Sequence, residues 1–246
     1  MKLVQLNIWQ GRLLKQVVEF LEREQPDILC LQEVYSSRIA SPLFDFLSSL
    51  EIIQQRFASY HTFFSPSYDM TLLDKQFSFG NAILSRFPLD DAQTTFVSGA
   101  FHSYKRMEDY VPNTRNFQRA IVRPKNGKPF CLFNHHAYWE ITPQGSPTSV
   151  EKMQLVANAI AQAPHPTIFS GDLNVVASSP AMQPIHKIMR DLTGEHQVPD
   201  TLSSLGKAHN VACDHICVTQ DVTVQQFTVS DELVSDHRAL ILQFTV

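Results

Sequence analysis

The chain has 246 residues, 43% of them hydrophobic, and its 20 Lys and Arg against 24 Asp and Glu give a formal net charge of −4. That apolar content can bury a sizeable core with no need for two domains, so one domain over residues 1–246 is expected. The slightly acidic balance excludes a protein that coats nucleic acid by bulk attraction; a nucleic-acid substrate would need a local basic patch.

The opening run MKLVQLNIWQGR is too short and too polar for a signal-peptide core, and no later segment approaches the roughly 18 apolar residues of a membrane span. A soluble, cytoplasmic monomer without a membrane anchor is the expectation. Residues 2–9 have strand character, Leu14, Val17, Val18 and Leu21 then recur at helical spacing, and Gln25-Pro26 ends that helix before a second strand at 27–34. Further strand-length apolar clusters follow at 81–86, 117–122, 129–134, 166–170, 212–218, 222–229 and 239–246, and Val150, Met153, Val156 and Ile160 mark another helix. Strands dominate, and helices must cover sheets. The least regular stretch is 98–116. Together with the strand after it, it carries Lys105, Arg106, Arg115, Arg119 and Arg123 among Phe101, Tyr104, Tyr110 and Phe117. Such a mixture suits phosphate gripping and base stacking, and equally a solvated loop with half-buried aromatics. Cys30, Cys131, Cys213 and Cys217 form no CxxC pair, and three of them sit in apolar runs, which reads as reduced core thiols.

Two carboxylates stand out by strand phase. Glu33 shares its face with Leu29 and Leu31, and Asp214 with Ala212, Ile216 and Val218, so each would be costly to bury without a cation or several donors. Taken alone, Glu33 reads better as emerging into solvent where its strand ends. Asn7, Asp172 and Asp236-His237 also lie at strand ends. Singly they are ordinary turn residues, but recurrence over five segments points to a site. Oxygen donors of this kind suit Mg²⁺ or Mn²⁺, whereas zinc sites favour closely spaced His or Cys, and the His135-His136 and Asp214-His215 neighbours do not supply that spacing. No GxSxG elbow is present, so hydrolysis by an activated water fits better than a serine nucleophile.

Taken in order, LNIW at Asn7, LQEV at Glu33, GNAILSRFP at Asn81, NHH at His136, SGDLN at Asp172 and Asn174, CDHICV at Asp214 and SDH at Asp236 and His237 resemble the endonuclease/exonuclease/phosphatase (DNase I-like) superfamily. The resemblance implies an α/β (α+β) four-layer α/β/β/α sandwich, two mixed β-sheets face to face with helices outside and a site at one edge. It implies Mg²⁺-dependent phosphoesterase activity. Glu33 would be the principal metal ligand, with Asn7 and Asp236 close to the metal or its waters. Asp172 would orient or deprotonate water, Asn174 would hold an oxygen in line, and His237, paired with Asp214, would stabilise or protonate the departing oxygen. His136 would be a second phosphate contact, and Asn81, Arg86 and Arg119 are candidates for substrate contact. The segment after Glu33 lacks the Thr-Lys pair of abasic-site repair enzymes, which turns the resemblance away from them. His61, His102, His165, His186, His196 and His209 receive no role.

Three functions follow from this resemblance. A phosphodiesterase on DNA, RNA or a nucleotide-like diester requires Arg115, Arg119, Arg123 and Lys105 beside Glu33. A phosphoesterase on a phospholipid or phosphorylated small molecule, sphingomyelinase-like or inositol-phosphatase-like, favours an apolar rim of Phe63, Phe64, Phe101 and Tyr104. A catalytically silent binding module would have lost a metal carboxylate or the histidine, yet every expected position is filled.

Overall fold

The computed structural model describes residues 1–37, 42–72, 75–164, 166–206 and 210–246; His165 and His209 lie outside them. Two mixed β-sheets pack face to face. With strands numbered along the chain, the first sheet runs β12 (Thr223–Val229), β13 (Leu240–Thr245), β1 (Lys2–Asn7), β2 (Ile28–Ser37), β4 (Lys75–Ser85), β3 (His61–Leu72) and β6 (His102–Tyr104). The second runs β10 (Arg190–Asp191), β11 (Asp214–Val218), β9 (Thr167–Asp172), β8 (Phe130–His136), β7 (Arg115–Val122) and β5 (Leu89–Ser98).

Helix α1 (Leu14–Glu24) buries Val17, Val18 and Leu21 and ends at Gln25, which turns left-handed ahead of Pro26. It packs with α2 (Ser49–Arg56) on Val4, Leu6, Leu29 and Leu31 of the first sheet. Helix α3 (Pro147–Ala161) starts with Pro147 at its first position and a Ser146 side chain that accepts from Thr148 and Ser149 N–H. It covers Phe133, Phe169 and Cys217 of the second sheet. Between the sheets, Leu3, Ile28, Cys30 and Ile83 meet Phe130, Leu132, Ile168 and Ile216. The result is the four-layer sandwich expected. All four cysteines are buried, and none forms a disulfide. Among the described residues no helix is long and apolar enough to cross a membrane.

Two long strands and a helix carried no clear sequence signal. β3 contains Pro66 at a register shift against β4, and β5 is an edge strand whose DDAQTT segment is mostly exposed; α2 is short. The predicted irregular stretch 98–116 holds the short β6 and the start of β7.

The inter-sheet core is crossed by one line of buried amides. Gln5 Nε2 donates to Gln32 Oε1 at 2.8 Å and to Asp214 Oδ1 at 2.9 Å, and Gln32 Nε2 donates to Asn134 Oδ1 at 2.7 Å. Asn134 Nδ2 reaches Gln118 Oε1 at 2.8 Å, and Gln118 Nε2 reaches the Phe63 carbonyl at 2.8 Å. Apart from Gln5 Oε1, which is buried without a partner, this pairs polar groups that would otherwise be costly to bury, and it joins strands of both sheets.

Candidate active site

Register brings the polar strand ends to one edge. β1 and β2 run parallel with Asn7 opposite Gln32, β8 and β9 run parallel with His136 opposite Asp172, and antiparallel β11 begins with Asp214 opposite Asp172. β13 runs antiparallel to β1, with Gln5 opposite Leu240, so Asp236 and His237, just before β13, fall beside Asn7. Gly171 makes the middle of this edge possible. A Cβ there would lie 1.8 Å from the His135 carbonyl oxygen, so only glycine lets β9 sit against β8 one residue before Asp172.

Glu33 reaches the site by a route that alternation does not predict. β2 loses register with β4 between Leu31 and Val34, and Glu33 adopts φ 57°, a left-handed conformation costing roughly 1–2 kcal/mol. The bulge leaves Leu29, Leu31 and Val34 under the helix layer. It turns the half-buried Glu33 toward Asn7, which hydrogen-bonds it, and into the field of His237, Asp172 and Asp236. The expectation that Glu33 shares the leucine face is therefore corrected. Asp214 keeps its predicted phase, sharing the inter-sheet face of Ile216 and Val218.

Asp214 is fully buried and accepts from Gln5, from Thr201 Oγ1 at 2.7 Å and from His237 Nδ1 at 2.8 Å. Burial alone would raise its pKa, but the His237 charge and these hydrogen bonds hold it below the usual carboxylate value. Burial likewise would lower His237, yet the charges of Asp214 and Asp172 push it well above the ordinary histidine value. His237 is thus an imidazolium whose Nε2 proton faces Asp172 Oδ2 at 3.8 Å.

Both oxygens of Asp172 are held. Asn7 Nδ2 donates to Oδ2 at 3.0 Å, and the Asn174 backbone N–H donates to Oδ1 at 3.1 Å. Burial is the main reason its pKa is raised, with Asp214 adding to it. His136 Nδ1 lies 3.3 Å from Arg115 Nη1; since guanidinium only donates, Nδ1 accepts and the proton sits on Nε2, which faces Asp172 Oδ2 at 3.5 Å. Burial and then Arg115 lower the His136 pKa well below its ordinary value, so this imidazole is neutral.

The structure gathers Asn7, Glu33, His136, Asp172, Asn174, Asp214, Asp236 and His237. It does not gather the weaker substrate candidates. Arg86 lies at the opposite end of β2, 3.6 Å from Asp27 and bonded to the Tyr60 hydroxyl. Arg119 shares the outer face of β7 with Phe117 and Ile121 and pairs with Asp91 at 2.9 Å. Asn81 is buried opposite the Glu33 bulge, where its amide is spent on Asn116. The proposed basic edge also scatters, with Arg123 on Asp90 and Arg106 on Asp109. From that stretch Arg115 alone faces the carboxylates, in the field of Asp172 and Glu33, with its Nε shut off from solvent and unpartnered. Sequence reasoning named it only as one of several loop cations, because what separates them is which acid each one meets. Of the residues expected in an apolar rim, Phe63 packs between the sheets, Phe64 under the helices and Tyr104 against Met70 and Phe77, while Phe101 is exposed.

Burial pushes up the pKa values of Glu33, Asp172 and Asp236 alike, and each is raised further by a neighbouring carboxylate. Such a group of oxygens at one edge fits a hard divalent cation. Asp172, Cys213 and His237 also bring one ligand atom each within 4.8 Å of one another. Burial pushes the Cys213 thiol up to about 12, however, and His237 keeps its proton, so the oxygen set is the better metal site.

The model of the Endonuclease/Exonuclease/phosphatase family matches residues 4–237. No curated protein matches the chain. Among solved structures, an endonuclease/exonuclease/phosphatase from Beutenbergia cavernae is 17% identical with TM-score 0.76, over 100% of this chain and 71% of its own. The mannosyl-6-phosphatase of Bacteroides thetaiotaomicron is 17% identical with TM-score 0.75, over 100% of both chains. D. rerio TDP2 in complex with a single-strand DNA product is 15% identical with TM-score 0.72, over 100% of this chain and 99% of its own.

Proposed function

Because the chain belongs to the Endonuclease/Exonuclease/phosphatase family, whose membership supports a phosphoester hydrolase in general, we propose that it is a Mg²⁺-dependent phosphodiesterase acting on nucleotide-like substrates through an activated water. The whole chain would be one cytoplasmic catalytic domain. The observation that carries this reading is the convergence, at one edge of the sandwich, of Asn7, Asp172 and Asp236 with Glu33 and the Asp214–His237 pair. Glu33, with Asn7 and Asp236, would hold Mg²⁺, or Mn²⁺ in its place. When bound, the ion supplies Lewis-acid polarisation of phosphate oxygens.

The protein groups divide the remaining work. Asp172, fixed through both oxygens, orients the attacking water and takes its proton. The Arg115 guanidinium and the Nε2–H of His136 face the same carboxylate and offer donors to nonbridging oxygens. Asn174, left-handed at φ 56° and anchored through its amide to the Ala137 carbonyl, holds the phosphate in line. His237 gives its Nε2 proton to the departing oxygen while Asp214 keeps the ring oriented.

The neighbours act on chemically distant substrates, a mannosyl 6-phosphate and DNA, as their names print. Pairing of Arg106, Arg119 and Arg123 with local acids removes the long basic groove that duplex binding needs, and favours a compact substrate. In the test, Glu33→Gln is compared with wild type on bis(p-nitrophenyl) phosphate, with Mg²⁺ and with chelator. Metal-dependent turnover should vanish while circular dichroism is unchanged; full activity in the variant sinks the metal assignment.

A further inference from the structure

The chain's two tryptophans, Trp9 and Trp139, both line one cavity of about 530 Å³ that has Asn174, Asp236 and His237 in its wall. Neither is placed as a core tryptophan would be. Trp139 is 54% exposed, beside Ile141 at 89% and Leu205 at 39%, although large aromatics are mostly buried. Its backbone is pinned from both sides: Trp139 N–H donates to Asn113 Oδ1 at 3.0 Å, and Asn113 Nδ2 donates to the Trp139 carbonyl at 2.9 Å. Trp9 stands in the left-handed turn Trp9–Gly11 at φ 51°, which for an aromatic residue is a strained backbone. The turn is held by the Trp9 N–H, which donates at 3.0 Å to the side chain of Asn7 in the candidate site. Strain and fixed backbone thus present two apolar ring systems to the mouth of the site.

The other groups in the wall narrow the ligand. Apart from the catalytic side chains, the charged residues of the cavity are Arg12 and Glu140, and the Glu140 carboxylate already accepts from the Ser149 hydroxyl. A sugar would bring several hydroxyls, for which the wall outside the candidate catalytic side chains offers no charged groups but those of Arg12 and Glu140. An acyl chain would gain nothing from the ring faces that a planar group gains by stacking. Arg12 lies 4.9 Å over the Trp9 ring and has no ion-pair partner among the described residues, so the cavity offers a positive charge to an anionic ligand.

We propose that this cavity is a substrate subsite for the planar base of a nucleotide-type phosphoester, stacked on Trp139 and Trp9 with its phosphate toward Asn174 and His237. The proposal rests on the phosphoesterase reading and narrows its substrate class. Binding can be read without turnover. With chelator present, tryptophan fluorescence of the full chain, excited at the red edge where the base does not absorb, is titrated with adenosine 5′-monophosphate, mannose 6-phosphate and phosphocholine. The adenine nucleotide should quench saturably and bind at least about tenfold more tightly than the other two. Trp139→Leu should weaken it by about tenfold and Trp139→Phe should restore most of the loss, as one base–aromatic stack requires. Equal binding of the three ligands, preference for the sugar or the choline ester, or a Trp139→Leu variant that binds like wild type overturns the subsite. Hydrolysis of bis(p-nitrophenyl) phosphate by the wild type with Mg²⁺ separates the two failures. Its absence removes the phosphoesterase reading, whereas its presence together with any of those binding results overturns the base subsite alone.

Discussion

Asp214 and His215 are consecutive on β11, point to opposite faces, and each builds a buried histidine–carboxylate pair. On the inner face Asp214 accepts from His237 Nδ1 at 2.8 Å, and the second ring nitrogen of His237 faces Asp172 at the mouth of the cavity. On the outer face His215 Nδ1 lies 3.0 Å from Asp191, and its second nitrogen is 2.9 Å from the Val175 carbonyl. Both nitrogens of His215 meet acceptors, so it too is an imidazolium; burial alone would lower its pKa, but the Asp191 charge raises it. The two pairs have the same chemistry, and only one can pass a proton on. A second nitrogen left free of a carbonyl suits a pair to the proton transfer proposed for His237, whereas a second nitrogen facing a carbonyl makes a strut. The outer pair ties the residue after Asn174 to the Asp191 turn.

The comparison breaks if the wrong histidine controls turnover. The largest expected effect is in His237→Gln, which should lower kcat on bis(p-nitrophenyl) phosphate by roughly 10²- to 10⁴-fold in the folded protein, and also lower the urea midpoint because buried Asp214 loses its cation. His215→Gln should lower the urea midpoint without the loss of turnover, costing about 3 kcal/mol because Asp191 loses its buried cation and keeps only the Thr193 N–H and the more exposed His186, while kcat below the transition stays within a few-fold. A comparable kcat loss in both variants would end the distinction. Asp214→Asn sharpens it further. Removing the charge that raises His237 should shift the alkaline limb of the kcat–pH profile to lower pH, and an unmoved limb would separate that limb from His237.

The outer pair has its own pH signature. His215 is held above its unfolded value of about 6.5, so its contribution to stability is complete below that pH and is lost as pH rises through the raised folded value. Asp191 is held below its ordinary value against the effect of burial, chiefly by the His215 charge, so its contribution is present above about pH 4 and is lost as pH falls. The stability gap between wild type and His215→Gln should therefore narrow at alkaline pH. The smallest effects belong to Arg86→Ala and Arg119→Ala, whose exposed or edge ion pairs are worth about 0–1 kcal/mol and should leave kcat unchanged.

The sandwich was readable because its buried strands are apolar runs of strand length, while β5, an exposed edge, offered no such run. The candidate site was readable as motifs. Its geometry was not, since the polar pair Gln32-Glu33 does not say which way Glu33 turns, and the bulge announces itself only through a register shift against β4. Arg115 and Arg119 could not be told apart either: one faces Asp172 and the other Asp91, acids that are respectively distant and unremarkable along the chain. His215 was visible as a neighbour of Asp214, but the carbonyl that closes it belongs to Val175, brought near by folding alone.

The amide line between the sheets bears on how such a site keeps its shape. Two apolar faces in contact resist separation far more than sliding, because hydrophobic attraction has no direction. Gln5, Gln32, Asn134 and Gln118 act as a key in a keyway: a slip of one sheet by a single residue would break the bonds that cross between the sheets, Gln5 to Asp214, Gln32 to Asn134 and Gln118 to the Phe63 carbonyl, and strand those amides in the core. Asn7 and Glu33 ride on one sheet and Asp172 and Asp214 on the other, so the key sets how far apart the two halves of the candidate site stand.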